Sequence, residues 1–191
     1  EHIDRGLRLL EGKLDRDLRA LWFAEGESQK AAALELERPS IQLPAIFIIE
    51  YALAQLWMAW GVTPKALLGH SMGENTAACL AGVMSFEDCL GLVTLRGQLF
   101  ERVPDGGMLS VPLSREVLEP LLGPELDLGV VNAPELCVVS GPRSALDAFA
   151  RQLDARQVEV QRIAISIAAH SAMLTPILAE FGAYLRSIKL H

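Results

Sequence analysis

Residues 66–74 read Ala-Leu-Leu-Gly-His-Ser-Met-Gly-Glu and contain the pattern Gly-x-Ser-x-Gly: Gly69, His70, Ser71, Met72, Gly73. The apolar run 66–68 predicts a strand, and the residues after Gly73 predict a helix. A strand that turns sharply into a helix lifts a serine Oγ clear of the backbone, and the glycines leave room for the strained turn. The hydroxyl then stands at a helix N-terminus, with the Met72 N–H aimed where an oxyanion would form. That is the setting of a nucleophilic serine. The competing reading is a glycine-bracketed tight turn carrying a solvated serine.

A nucleophilic serine needs a base. The chain has four histidines: His2, His70, His170 and His191. His2 and His191 are terminal. His70 adjoins Ser71, and neighbouring side chains on an extended segment point to opposite faces, so it suits shaping a pocket better than taking the Ser71 proton. His170, in Ile167-Ala168-Ala169-His170-Ser171, is the remaining candidate. The small residues around it leave space for a substrate, and a neutral imidazole could take the serine proton and return it to a leaving group. A structural histidine is the alternative.

Arg96 is a sharper clue. On a helix over 85–102, Cys89, Leu92, Val93 and Phe100 share an apolar face, and Arg96 falls within that stripe. A guanidinium there is costly unless an anion meets it. The anion could be an internal carboxylate, or the carboxylate of a bound substrate gripped by both arms of the fork. Glu74 suits the dipole of the helix that begins beside it. Gln42 precedes Pro44 and is either a pocket-lining residue or a polar helix-start residue. No metal-ligand spacing, Gly-x-Gly-x-x-Gly or phosphate loop occurs.

Composition narrows the classes. The 191 residues are 51% hydrophobic, enough for a sizeable core, and the net charge of −7 comes without a basic tract, which argues against nucleic acid as a partner. Cys79, Cys89 and Cys137 are odd in number and far apart, which reads as buried free thiols in a reducing compartment. Residues 1–17 are too charged for a signal peptide. The apolar run 44–62 is interrupted by Glu50 and Gln55 and predicts a buried core helix rather than a membrane span. A cytoplasmic protein is expected.

The elements that must position these residues can be sketched. A helix is predicted over 1–24, a long helix from Pro44 to Trp60, a strand over 65–69, a helix over 72–81, and a helix from a Ser85/Asp88 capping box to about Arg102. Pro104-Asp105-Gly106-Gly107 predicts a boundary turn. Beyond it come a strand (108–113), a short helix (114–122), two strands (126–132 and 136–140), a helix (144–156) and an alternating strand (158–167). That β-α-β-β-α-β order is the ferredoxin-like unit. The expected architecture is therefore α/β, with a core formed by 1–107 and 169–191 and an insert over 108–168. The charged helical start and the abrupt Leu190-His191 end suggest a chain truncated at both ends.

Three features together carry a family resemblance: Gly69-His70-Ser71-Met72-Gly73-Glu74, Arg96 in Leu95-Arg96-Gly97, and Ala169-His170-Ser171. The chain resembles the acyltransferase domain of modular polyketide synthases, in the malonyl-CoA:acyl carrier protein transacylase family. The likeness covers nearly the whole chain. It implies an α/β-hydrolase-like core with a ferredoxin-like subdomain. It further implies that Ser71 is acylated, His170 is its base, Arg96 pairs with the free carboxylate of a malonyl-type extender, and the Met72 amide is one oxyanion donor. No bound cofactor is implied; the donor is an acyl-CoA. The acceptor is the phosphopantetheine thiol of an acyl carrier protein, and neighbouring synthase domains are the other expected partners. The family's Gly-Gln-Gly segment, whose glutamine adds to the oxyanion hole, is not in this sequence.

Extender choice is less legible. In the family a four-residue motif ending at the histidine tracks specificity, and here it reads Ile167-Ala168-Ala169-His170, matching neither the malonyl nor the methylmalonyl form. Ala169 leaves room for an α-methyl, whereas Met72 is apolar where methylmalonyl enzymes often carry glutamine. Malonyl is favoured over methylmalonyl. A serine thioesterase or hydrolase, and an inactive fragment or docking module, are the alternatives of different class.

Overall fold

Gly12 and Asp17 split the expected first helix in two. The computed structural model, which describes residues 1–191, ends α1 (His2–Leu10) ahead of Gly12, whose φ of 72° an L side chain rarely adopts. The Asp17 carboxylate then caps α2 (Leu18–Trp22), accepting from the Arg19 and Ala20 amides at 2.9 and 3.2 Å. A further helix, α3 (Ser28–Leu36), lies where the sequence predicts none; only Ala32 on it is buried, so it has no apolar stripe to read.

The long helix α4 (Pro39–Ala59) begins five residues earlier than expected. Pro39, not Pro44, takes the first turn, where a missing N–H costs nothing. Pro44 sits inside the helix and is buried, so packing overrides an interior-proline penalty of about 3 kcal/mol. The expectation of a buried helix holds for half of it. Ile41, Phe47 and Ile48 are fully buried, whereas Leu53, Leu56 and Trp57 are exposed. By length and composition α4 could cross a membrane, and 28% of its most apolar window is buried.

Residues 65–69 form no strand. They pair with no sheet neighbour, and Leu68 is almost wholly exposed. A strand is defined by its ladder, and an apolar run cannot supply the partner. Helices α5 (Gly73–Leu80) and α6 (Phe86–Phe100) follow as expected, and the Ser85 hydroxyl caps α6 by accepting from the Asp88 amide at 3.0 Å. The last helix, α9 (Leu178–Ser187), is pinned to α6 through the Tyr184 hydroxyl, which donates to the Asp88 carbonyl at 3.1 Å.

Two compact units result: residues 1–101 with 179–191, and residues 102–178. The larger is helical. Its core joins α1, α2, α4, α5 and α6, with Phe47, Tyr51 and Phe86 in mutual ring contact. Gly97 lets α6 meet the start of α4, since a Cβ there would stand 2.3 Å from the Pro39 carbonyl oxygen. At the same junction Arg38 pairs with Asp15, Glu35 and Glu101, and the Ser40 hydroxyl donates to Glu101 at 2.5 Å.

The smaller unit holds a four-stranded antiparallel sheet: β1 (Gly106–Val111), β2 (Asp127–Ala133), β3 (Leu136–Pro142) and β4 (Gln161–Arg162), in the order β2-β3-β1-β4. Helix α7 (Arg115–Leu118), continued by a 3-10 turn, links β1 to β2, and α8 (Arg143–Asp154) links β3 to β4. One sheet face, with Leu109, Val111, Cys137 and Val139, packs on Leu118, Leu146, Phe149 and Leu153 of the helices. The chain as a whole is an α/β fold with one small antiparallel sheet.

The expected strand 158–167 shrinks to two paired residues. Ile165 N–H turns back to the Ile163 carbonyl at 2.8 Å, which takes it out of the ladder. The segment nevertheless stays on β1, because Gly106 N–H donates to the Ser166 carbonyl at 3.0 Å. This bond holds Ser166 to the sheet, within the smaller unit of residues 102–178.

Candidate active site

The backbone at Ser71 is left-handed, with φ of 51°, which is rare for a non-glycine residue. Gly69 makes the turn possible. A Cβ at that position would lie 2.1 Å from the Glu74 nitrogen and 2.3 Å from the Gly73 carbonyl carbon. Gly73 is different, since a Cβ there would meet nothing within 4 Å; it opens α5 rather than admitting a close backbone. The Gly73 and Glu74 amides bond back to the His70 and Ser71 carbonyls at 3.0 and 3.2 Å, closing the first turn. The Met72 N–H takes no part in that turn. Its carbonyl accepts from the Asn75 amide and the Asn75 side chain, at 3.1 and 3.0 Å. Ser71 and Met72 are half-buried, and His70 is exposed. The base of α5 is fastened to α4 by the Thr76 hydroxyl, which donates to Glu50 at 2.5 Å.

Arg96 lies on α6 among the residues its spacing indicates. Cys89, Leu92, Val93 and Phe100 are buried, and Arg96 itself is half-buried. Its guanidinium carbon stands 5.2 Å from the Phe100 ring centroid, a cation–π contact. No carboxylate pairs with it. Burial pulls its pKa below the ordinary value with no opposing anion, the sign of a cation that has lost water without gaining a counter-charge. Helix α6 is tied to the start of α5 where the Cys89 thiol donates to the Asn75 carbonyl at 3.3 Å. Gln42 is half-buried in the first turn of α4.

In the smaller unit, His170 also has a left-handed backbone, with φ of 57°. It closes a turn after Ala168, which is buried against Gly106. Ala169 is half-buried. The Ser171 hydroxyl donates to the Ala168 carbonyl at 2.6 Å and caps the following 3-10 helix (Ala172–Ile177) by accepting from Met173 at 3.2 Å. Asp127 accepts from the Ala172 amide at 2.8 Å.

Ser71, Met72, His70, Gln42 and Arg96 thus belong to the larger unit, and Ala169 and His170 to the smaller. The sequence singles out neither the Glu50–Thr76 bond nor the Asp127–Ala172 bond, because each spans too many residues to leave a local pattern. Asn75 was legible in principle, three residues beyond Met72 on one helix face.

Residues 30–191 match the family described as "Acyl transferase domain". The chain is 38% identical over 182 residues to the mycoketide-CoA synthase of Mycobacterium tuberculosis, covering 95% of this chain and 4% of that protein. Among solved structures it resembles the acyl transferase domain of SpnD in complex with 2-(pent-4-yn-1-yl)malonyl, with a TM-score of 0.88 and 39% identity, covering 99% of this chain and 44% of that one. The fold is also that of the malonyl CoA-acyl carrier protein transacylase from Clostridium perfringens, with a TM-score of 0.83 at 23% identity, covering 100% of this chain and 61% of that one. The chain belongs to the acyl transferase domain family, a family of acyltransferase enzymes. It spans under half the length of the solved acyl transferase domain and a few per cent of the synthase.

Proposed function

We propose that this chain carries the acyl-transfer centre that loads a malonyl-type extender from CoA onto the phosphopantetheine thiol of an acyl carrier protein. The observation that carries the reading is Arg96. It is a half-buried guanidinium with no carboxylate partner, on a helix tied to the Ser71 turn. A hydrolase of simple esters has no need of such a cation, whereas an extender with a free carboxylate does. The malonyl derivative bound to the related SpnD domain agrees with that choice.

The steps follow from the residue types. His170 takes the Ser71 Oγ proton as the oxygen attacks the thioester carbonyl. The Met72 N–H, unused in its own turn, donates to the oxyanion. The CoA thiolate leaves with the proton from His170, and Ser71 holds the acyl group as an ester. The carrier-protein thiol then gives its proton to His170 and attacks that ester, and Ser71 recovers the proton. Arg96 holds the distal carboxylate throughout, and Gln42, His70 and Ala169 are assigned to substrate binding. The architecture read with this function is an α/β-hydrolase-like core with a ferredoxin-like insert; the sheet order β2-β3-β1-β4 with its two connecting helices supports the insert. The cytoplasm, the expected compartment, supplies acyl-CoA.

Intact-mass spectrometry of the full-length protein, exposed to malonyl-CoA and methylmalonyl-CoA in competition, tests the reading. A malonyl adduct that Ser71→Ala abolishes is expected. A predominant methylmalonyl adduct would reverse the extender choice, and an adduct that survives Ser71→Ala would refute the nucleophile.

A further inference from the structure

His170 occupies a backbone conformation that L residues avoid, and such a conformation lasts only where its surroundings fix it. The Ser171 bonds to Ala168 and Met173 are internal to the turn and move with it. The Asp127 bond is not internal. Asp127 is the first residue of β2 and pairs with Ser140 of β3, one strand away from β1. Its Oδ2 accepts the Ala172 amide at 2.8 Å, one of the opening N–H groups that a helix leaves without a partner of its own. Two residues along β2, Gly129 sits at a register shift and lies under the same turn. A Cβ there would be 3.5 Å from the Ala169 oxygen and 3.6 Å from the His170 Cβ. Strand β2 therefore runs close under the histidine turn at Gly129 and holds it at Asp127 by a charge-assisted hydrogen bond.

We propose that Asp127 is a positioning residue for His170, an inference that rests on the reading of His170 as the general base. The carboxylate anchors the backbone two residues past the imidazole to the sheet, and this sets the ring's direction without touching the reacting atoms. What the role requires is an acceptor oxygen at that place, not a negative charge.

The test follows acylation of Ser71 by malonyl-CoA in single turnover, in the full-length protein, for wild type, Asp127→Ala, Asp127→Asn and His170→Ala. The pH range brackets the ordinary histidine pKa of about 6.5. Asp127→Ala should lower the limiting rate about tenfold with the half-saturating malonyl-CoA concentration unchanged, since a displaced base costs rate rather than binding. Asp127→Asn keeps an acceptor oxygen at that place and should stay within about threefold of wild type. In the His170→Ala background, Asp127→Ala should have no further effect. An unchanged rate in Asp127→Ala overturns the proposal. So does an Asp127→Asn rate as low as that of Asp127→Ala, or an equal loss in both histidine backgrounds, which would mark a merely structural effect. Near-wild-type acylation by His170→Ala would overturn the base reading and this inference together. Loss in His170→Ala with Asp127→Ala unaffected would remove the inference alone.

Discussion

Gly69 and Glu74 approach so closely that a methyl group on the first would stand 2.1 Å from the amide nitrogen of the second. The nearest atoms are all backbone, of Glu74 and Gly73, so no rotamer change can relieve the clash. Gly69→Ala should therefore open the turn and move Ser71 off the start of α5. Overpacking of this kind typically costs about 1–3 kcal/mol, with the upper end expected against rigid backbone. Acylation of Ser71 should fall by roughly a hundredfold or more, as for any reacting group moved by about an ångström. Mass spectrometry of the adduct against time checks this; wild-type kinetics would show that the turn tolerates a side chain.

Arg96 should discriminate substrates by charge. Arg96→Ala is expected to lower malonyl transfer by about a hundredfold, the scale of lost hydrogen bonds to a charged group at about 1.5–3 kcal/mol each. Acetyl transfer should hold or improve, because a desolvated cation has been removed. Arg96→Lys keeps the charge but not the fork and should fall between the two. The measurement is kcat/KM for malonyl-CoA and acetyl-CoA side by side; equal losses for both would remove the carboxylate clamp.

Acid should loosen the larger unit through Glu101. Burial pushes its carboxyl pKa up, but hydrogen bonds from Ser40 and Arg38 outweigh that and hold it below the ordinary value. The Arg38 bond likewise lowers Asp15, and the Arg5 bond lowers Glu87. A carboxyl whose pKa is lower folded than unfolded stabilises the fold fully above the unfolded value of about 4.3 and loses that contribution as pH falls through the folded value. Glu101→Gln should cost about 1 kcal/mol at neutral pH, discounted for its exposure, and should flatten the loss of stability in that acid window. Urea unfolding midpoints measured against pH report both effects, and an acid limb as steep as wild type would exclude the assignment.

Gly97 invites the opposite of the usual helix rule. Glycine to alanine in an exposed helix interior gains about 1 kcal/mol. Here the new methyl would lie 2.3 Å from the Pro39 carbonyl oxygen and 2.8 Å from the Ser40 Cα, so α6 would have to withdraw from α4. Gly97→Ala should lower stability by about 1–3 kcal/mol, visible as a fall in thermal midpoint. A rise would mean that the two helices separate at little cost.

What was legible in the sequence was local. The Ser71 turn, the Ser85 cap and the apolar stripe around Arg96 each sit within one stretch of chain, and each is found where spacing puts it. Ladders and breaks were not legible. Residues 65–69 look like a strand but lack a pairing neighbour, and 158–167 alternate cleanly yet leave the ladder at Ile165. Pro44 reads as a helix start because proline usually is one; packing on α6 extends the helix back to Pro39. The candidate site divides the same way. Its reactive residue types could be picked out by eye, but the absence of an anion beside Arg96 and the Asp127 bond needed three dimensions.

The left-handed backbone at Ser71 and His170 bears on how any knockout of these residues is controlled. Alanine removes the side chain but leaves a Cβ in a region it avoids, without the local polar bonding that lets asparagine or aspartate settle there. Loss in Ser71→Ala or His170→Ala is therefore to be read beside asparagine at the same position, because alanine adds a relaxed loop to the lost side chain. Asparagine at either position is the cleaner blank, since it removes the proposed nucleophile or base while tolerating the same backbone. Glycine alongside it would report how much of the loss belongs to the loop.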